Sequence, residues 1–203
     1  VYKRQTLSNV TAFNGGTASD FATLLTSETN GLISGGITTQ ALTVDGTIGV
    51  SAANDLNTTT TGVVTATITE GDMTTLADLA DKESGQSTDN AYTVTITDTS
   101  VAAGALNTLA GKTSVAVTGS SITTLTGTIS DVNTAYANTS GITGLGNEAV
   151  TISDTDNSSN GVSIADLNTL DDYTTGTIDA GTITVATGTL AALLEAYGSN
   201  GIT

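Results

Sequence analysis

The chain repeats itself, and no other property constrains its fold as tightly. Leu-Asn-Thr occurs at Leu56-Asn57-Thr58, Leu106-Asn107-Thr108 and Leu167-Asn168-Thr169, at intervals of 50 and 61 residues. A Gly-Ile-Thr element occurs at Gly141-Ile142-Thr143 and Gly201-Ile202-Thr203, with weaker copies at Gly31-Leu32-Ile33 and Gly85, and these glycines lie 54, 56 and 60 residues apart. A run of alternating residues appears as Ala41-Leu42-Thr43-Val44-Asp45, Tyr92 to Asp98, and Ala149 to Asp154. Ile122 to Thr128 matches Ile183 to Thr189 at an offset of 61. Dissimilar markers that recur in one order at one period define a tandem repeat, and a repeat that cannot bury its apolar face alone must stack on its neighbours.

Each repeat reads as strand, short helix, strand, short helix, so it consists of two similar halves; Asp131-Val132-Asn133-Thr134 in one half matches Asp166-Leu167-Asn168-Thr169 in the other. Strands follow from period-two alternation, as in Thr65-Ala66-Thr67-Ile68-Thr69, which puts aliphatic residues on one face and threonine on the other. Helices follow from apolar residues at helical spacing: Leu190, Leu193, Leu194 and Tyr197, then Met73, Leu76, Leu79 and Ala80, then Ile129, Val132 and Tyr136. Ser163 with Asp166 and Thr128 with Asp131 have the spacing of a capping box, and Gly85, Gly141 and Gly176 stand where helices stop. Strand–helix halves of about 25 to 30 residues stacked in one direction predict an α/β repeat solenoid with a parallel sheet. The alternative is a β-solenoid whose helices shrink to turns.

In that reading residues 6–50 are a partial first repeat, 51–100 and 101–161 two further repeats, and 162–203 a partial last one, all in one continuous solenoid. Residues 1–5, Val1-Tyr2-Lys3-Arg4-Gln5, match nothing in the repeat; they read as translated adapter sequence at a contig end and are set aside. The protein is expected to continue beyond both ends of the segment.

Composition agrees with thin, layered packing. Hydrophobic residues reach 37% while aromatic residues stay at 3% and tryptophan is absent, so small aliphatic side chains must fill narrow slots between layers. Proline is absent, which leaves every backbone N–H free for a ladder, and cysteine is absent, which removes disulfides and thiolate metal sites. The formal charge of −16 repels phosphate backbones and anionic headgroups, arguing against nucleic-acid partners, and no apolar stretch is long enough for membrane insertion. Such acidity suits a saline or calcium-rich exterior, or serves only to keep a long polymer soluble.

Histidine is absent along with cysteine, and Lys82 and Lys112 are the bases outside the set-aside leader, so the usual general bases, transition-metal ligands and thiolate nucleophiles are missing. The acids recur with the repeat instead of standing once in a cleft, so the chain is expected not to be an enzyme. One loop, Asp154-Thr155-Asp156-Asn157-Ser158-Ser159-Asn160-Gly161, offers oxygen ligands at alternating positions, with Asp154, Asp156, Asn157 and Asn160 as candidate calcium ligands. Its glycine falls at the eighth position and no glutamate closes it, so it is not an EF-hand, and an ordinary Asn/Ser/Gly turn is the competing reading. Asn57, Asn107 and Asn168 recur in register and are expected to form a buried structural ladder between turns. The Thr-x-Thr runs make one strand face rich in hydroxyls.

With its Thr/Asp/Asn/Gly repeats, its acidity, its lack of cysteine and its Leu-Asn-Thr units, the chain over residues 6–203 resembles segments of long repetitive surface proteins of marine bacteria, cyanobacterial ones included, and surface-layer and giant-adhesin stalks. The resemblance implies an extracellular or cell-surface location and a mechanical role. A structural component of a fibre, surface layer or appendage is therefore expected, with copies of itself or adjacent repeats of a longer chain as partners. The alternative is an adhesin arm that binds glycan, mineral or ice through its threonine face.

Overall fold

A computed structural model describes residues 5–6, 9–155 and 161–203. The fold is α/β, with parallel sheets and, among the described residues, seven α-helices: α1 (Ala18–Thr29), α2 (Val50–Thr59), α3 (Met73–Leu76), α4 (Ala103–Ala110), α5 (Ile129–Ala137), α6 (Ile164–Tyr173) and α7 (Leu190–Gly198). The chain divides into two compact units. The first comprises the described residues of Val1–Thr95 with Leu109–Val117, the second Ile96–Thr108 with Thr118–Thr203, so α4 contributes residues to each.

In the first unit, strands Ala12–Gly16, Ala41–Ile48, Val64–Ile68 and Ala91–Thr93 lie side by side in chain order, every pairing parallel. In the second, Ser100–Ala102, Thr124–Gly127, Ala149–Ile152 and Ile178–Asp179 do the same, and Ile178 pairs again, in parallel, with Ile202. Parallel neighbours require a crossover, and most of these strands return through one short helix. The alternation seen in the sequence sets which face is inside. Val64, Ala66 and Ile68 are buried while Thr67 is exposed, and Val150 and Ile152 are buried while Thr151 is exposed.

Helix starts are fixed by side-chain caps. Thr17 and Asp20 form a reciprocal capping box on α1, and Thr128, Ser163 and Thr189 each accept from the third residue of the helix that follows. Each such cap stabilises its helix by about 1 kcal/mol. The stripe through Leu79 and Ala80 predicts a longer α3 than Met73–Leu76. The chain leaves the helix there because the Ala80 N–H is taken by the Asn54 side chain, and Leu79 remains buried without being helical.

After α2, α4 and α6 the chain turns through a buried threonine. The Thr60 hydroxyl donates to the Thr38 carbonyl at 3.0 Å and accepts from the Gly62 N–H at 3.0 Å. Thr113 donates to the Tyr92 carbonyl at 2.8 Å and accepts from Val115 at 3.2 Å; Thr174 donates to the Glu148 carbonyl at 2.7 Å and accepts from Gly176 at 3.0 Å. Each threonine thus ties its own corner to the strand entry of the preceding turn. The backbones come so close that a Cβ at Gly62 would run into the Gln40 carbonyl, and one at Gly176 into the Glu148 carbonyl.

Candidate functional site

The distinctive chemistry of the molecule lies in side-chain bonds from one turn of chain to the next. An asparagine is the fifth residue of α2, α4, α5 and α6: Asn54, Asn107, Asn133 and Asn168. The amide of Asn107 donates to the Asp131 carbonyl in α5 at 2.9 Å, that of Asn133 to Asp166 in α6 at 3.0 Å, and that of Asn168 to Ala192 in α7 at 3.0 Å. In each case the acceptor is the third residue of the next helix. In the first unit Asn54 donates to Asp78 and accepts from Ala80, both at 2.8 Å, while Asn57 donates to Asp81 at 2.9 Å.

Of the three asparagines singled out by the sequence, Asn57 lies in the first unit and Asn107 and Asn168 in the second. Each donates to a backbone carbonyl 24 residues onward, so the three do not bond one another. Asn133 and Asn54 play the same part without belonging to a Leu-Asn-Thr triplet. The match of Asp131-Val132-Asn133-Thr134 to Asp166-Leu167-Asn168-Thr169 is the signal that finds Asn133. No repeat marker contains Asn54.

The amides are unequally satisfied. Asn57, fully buried, accepts from Asn90 at 2.7 Å, and Asn90, also fully buried, accepts from the Val64 N–H at 2.8 Å and from Gln86 at 2.7 Å. The Oδ1 atoms of Asn107, Asn133 and Asn168 are buried with no protein partner.

The acids are held mostly by N–H and O–H donors. Asp154 accepts from the N–H of Ile129, the first residue of α5, at 2.6 Å, and Glu70 accepts from Val50, the first residue of α2, at 3.0 Å. Both meet the positive end of a helix dipole. Glu28 accepts from Gly36 at 2.7 Å and Thr38 at 2.8 Å. Glu148, fully buried, takes the Tyr136 hydroxyl at 2.9 Å and the N–H groups of Gly146 at 2.8 Å and Asn147 at 3.1 Å on one oxygen. One ion pair, Lys82 to Asp89 at 3.0 Å, forms among the described residues. Of the candidate calcium ligands, Asp154 sits on α5 as described, and Asp156, Asn157 and Asn160 lie outside the described residues. No group of three metal-ligating side chains gathers among the described residues.

Three acids, Asp20, Glu28 and Asp72, lie below their ordinary values. The Thr17 hydroxyl lowers Asp20, and the Thr75 N–H lowers Asp72. Burial pulls Glu28 upward, but the N–H groups of the 36–38 loop together outweigh it and leave Glu28 below its ordinary value. Burial raises the Tyr92 and Tyr136 phenols well above theirs, Glu148 adding to the rise at Tyr136.

Threonines also line up across strands. Thr43 pairs with Thr65, and Thr47, Thr67 and Thr93 form a row in the first unit. In the second, Thr126 pairs with Thr151, and Ala102 and Asp179 stand at the two ends of that row.

Compared with known protein families, curated proteins and solved structures, the chain finds no match. Among the described residues, no helix is long and apolar enough to cross a membrane.

Proposed function

We propose that the chain is a stretch of tandem-repeat αβ solenoid and serves as a structural component of an extracellular fibre, surface layer or appendage, without enzymatic activity of its own. The observation that carries this reading is the hydrogen bond donated by the side-chain amide of the fifth residue of one helix to the backbone carbonyl of the third residue of the next, made in succession by Asn107, Asn133 and Asn168. A contact repeated turn after turn stabilises the chain along its length, as a load-bearing element needs, and does not converge on one cleft. The acidity and the absence of cysteine are compatible with an exterior where salt or calcium screens the charge. Its partners in this reading are adjacent repeats of a longer chain, or copies of itself.

Immunogold electron microscopy of intact producing cells, with antibodies raised against this chain, tests the proposal. Labelled fibres or a labelled continuous layer outside the cell support it. Label that appears only after permeabilisation overturns it.

The threonine rows favour a second reading, an adhesin arm whose hydroxyl face holds glycan, mineral or ice. Retention of the chain on one such ligand, abolished by Thr67→Glu, distinguishes that reading from a purely mechanical role.

A further inference from the structure

We propose that Tyr136, Tyr173 and Glu148 form a redox-active site for an outer-sphere one-electron oxidant. The electron leaves through the Tyr173 ring, Tyr136 becomes a phenoxyl radical and Glu148 receives its proton. This is independent of the structural role above.

With tryptophan, cysteine and histidine absent, tyrosine is the side chain in this chain that most readily gives up one electron. Two of the five tyrosines meet in the second unit. Tyr136, the eighth residue of α5, and Tyr173, the last residue of α6, stack with ring centroids 5.7 Å apart and planes inclined by 17°. Tyr136 is 6% exposed and Tyr173 38%, so the stack joins a buried ring to one that solvent reaches. An open cavity of about 360 Å³, walled also by Ile142 and Leu145, adjoins both rings.

The proton decides which ring holds the radical. A phenol that loses an electron becomes a strong acid, and an uncompensated charge left in a buried site is costly. The electron therefore leaves a buried tyrosine together with the hydroxyl proton. At Tyr136 an acceptor is in place, because its hydroxyl donates to Oε2 of Glu148 at 2.9 Å. The N–H groups of Gly146 and Asn147 hold that same oxygen in position. One O–H bond breaks at Tyr136, one forms at Glu148, and the oxidant gains the electron, so the step needs no further reactant. Tyr92 is the contrast. It is fully buried as well, but its hydroxyl has no hydrogen-bond partner among the described residues and so no base to take the proton. The formal charge of −16 favours a cationic oxidant, which the field of the chain concentrates at its surface.

Flash-quench oxidation by photogenerated tris(bipyridine)ruthenium(III) tests the site, in a parent carrying Tyr2→Phe and Tyr197→Phe so that Tyr92, Tyr136 and Tyr173 remain. Transient absorption and freeze-quench electron paramagnetic resonance should show a long-lived phenoxyl radical, formed more slowly in heavy water. Tyr136→Phe removes it and leaves only the short-lived signal of exposed Tyr173, whereas Tyr92→Phe leaves it intact. Glu148→Gln keeps the shape of the side chain but accepts a proton far less well, and slows the appearance of the long-lived radical by roughly a hundredfold. Tyr173→Phe slows it too, since the route to the surface is lost. Circular dichroism establishes that the Gln variant is folded; if it is not, the isotope effect and the comparison of Tyr136→Phe with Tyr92→Phe decide. The absence of a long-lived radical, its survival in Tyr136→Phe, or an unchanged rate in folded Glu148→Gln or in Tyr173→Phe each overturns the proposal.

Discussion

Gly176 is held by the approach of one backbone to another, since a Cβ there meets the Glu148 carbonyl that Thr174 has drawn close, and Gly62 is held against Gln40 in the same way. Backbone cannot swing aside as a flexible side chain can, so Gly176→Ala or Gly62→Ala forces the corner open and loses the threonine hydrogen bond with it. The expected cost is about 2–3 kcal/mol in urea unfolding, the range of an overpacked site with one broken buried bond. Gly198→Ala is the control. A Cβ at Gly198 meets nothing within 4 Å, so that change is expected to be neutral or slightly stabilising. Equal losses for the three variants would show that the close approach is not what selects glycine.

Between elements, the asparagines are expected to differ by how completely they are satisfied. Asn57→Leu strands the Asn90 amide and the Asp81 carbonyl in the buried network of the first unit, and should cost about 3 kcal/mol or more. Asn133→Leu removes one bond between α5 and α6 but also an oxygen that had no partner, so its cost should stay near 1 kcal/mol. Thermal unfolding of the two variants checks the order, and a costlier Asn133 change would contradict it. The acids at helix and loop termini add a pH dependence. Asp20, Glu28 and Asp72 are lowered in the folded chain, so the stability they supply is complete above their unfolded values of 3.8 for Asp and 4.5 for Glu. It is lost as pH falls below that range through the folded values. Asp20→Asn, Glu28→Gln and Asp72→Asn together should flatten the fall in urea midpoint on acidification. An unchanged slope would assign acid sensitivity to other groups.

The sequence made some of these elements legible and hid others, for physical reasons. Alternation and caps are local, so the strands around Val64 and Ala149 and the starts of α5 and α6 could be read directly. The end of α3 could not, because Asn54 from another turn competes for the Ala80 N–H. Asp154 reads locally as part of a cation loop, while its observed partner is the N–H of Ile129, 25 residues earlier. Recurrence singled out Asn57, Asn107 and Asn168, but the carbonyls they meet carry no side-chain signature. The triplets Thr60-Thr61-Gly62 and Thr174-Thr175-Gly176 did carry one, and they mark the corners.

At the scale of the whole molecule, 20 acidic residues face four basic ones, so stability reflects a contest between long-range repulsion and short-range contacts. Repulsion between exposed charges acts over distances comparable to the Debye length, about 10 Å at moderate ionic strength, and salt removes it. The attractive terms are hydrogen bonds such as 2.6 Å from Ile129 to Asp154 and 2.7 Å from Gly36 to Glu28, contacts too short for mobile ions to enter. The described residues contain one ion pair for salt to weaken, so little attraction is lost when the repulsion is screened. Sodium chloride should therefore raise the melting temperature steadily, by several degrees for about 2 kcal/mol of relieved repulsion in a chain of this size. A melting temperature that falls with added salt would mean that attractive ion networks outweigh the repulsion, and would shift the explanation of stability from backbone-capped carboxylates to paired charges.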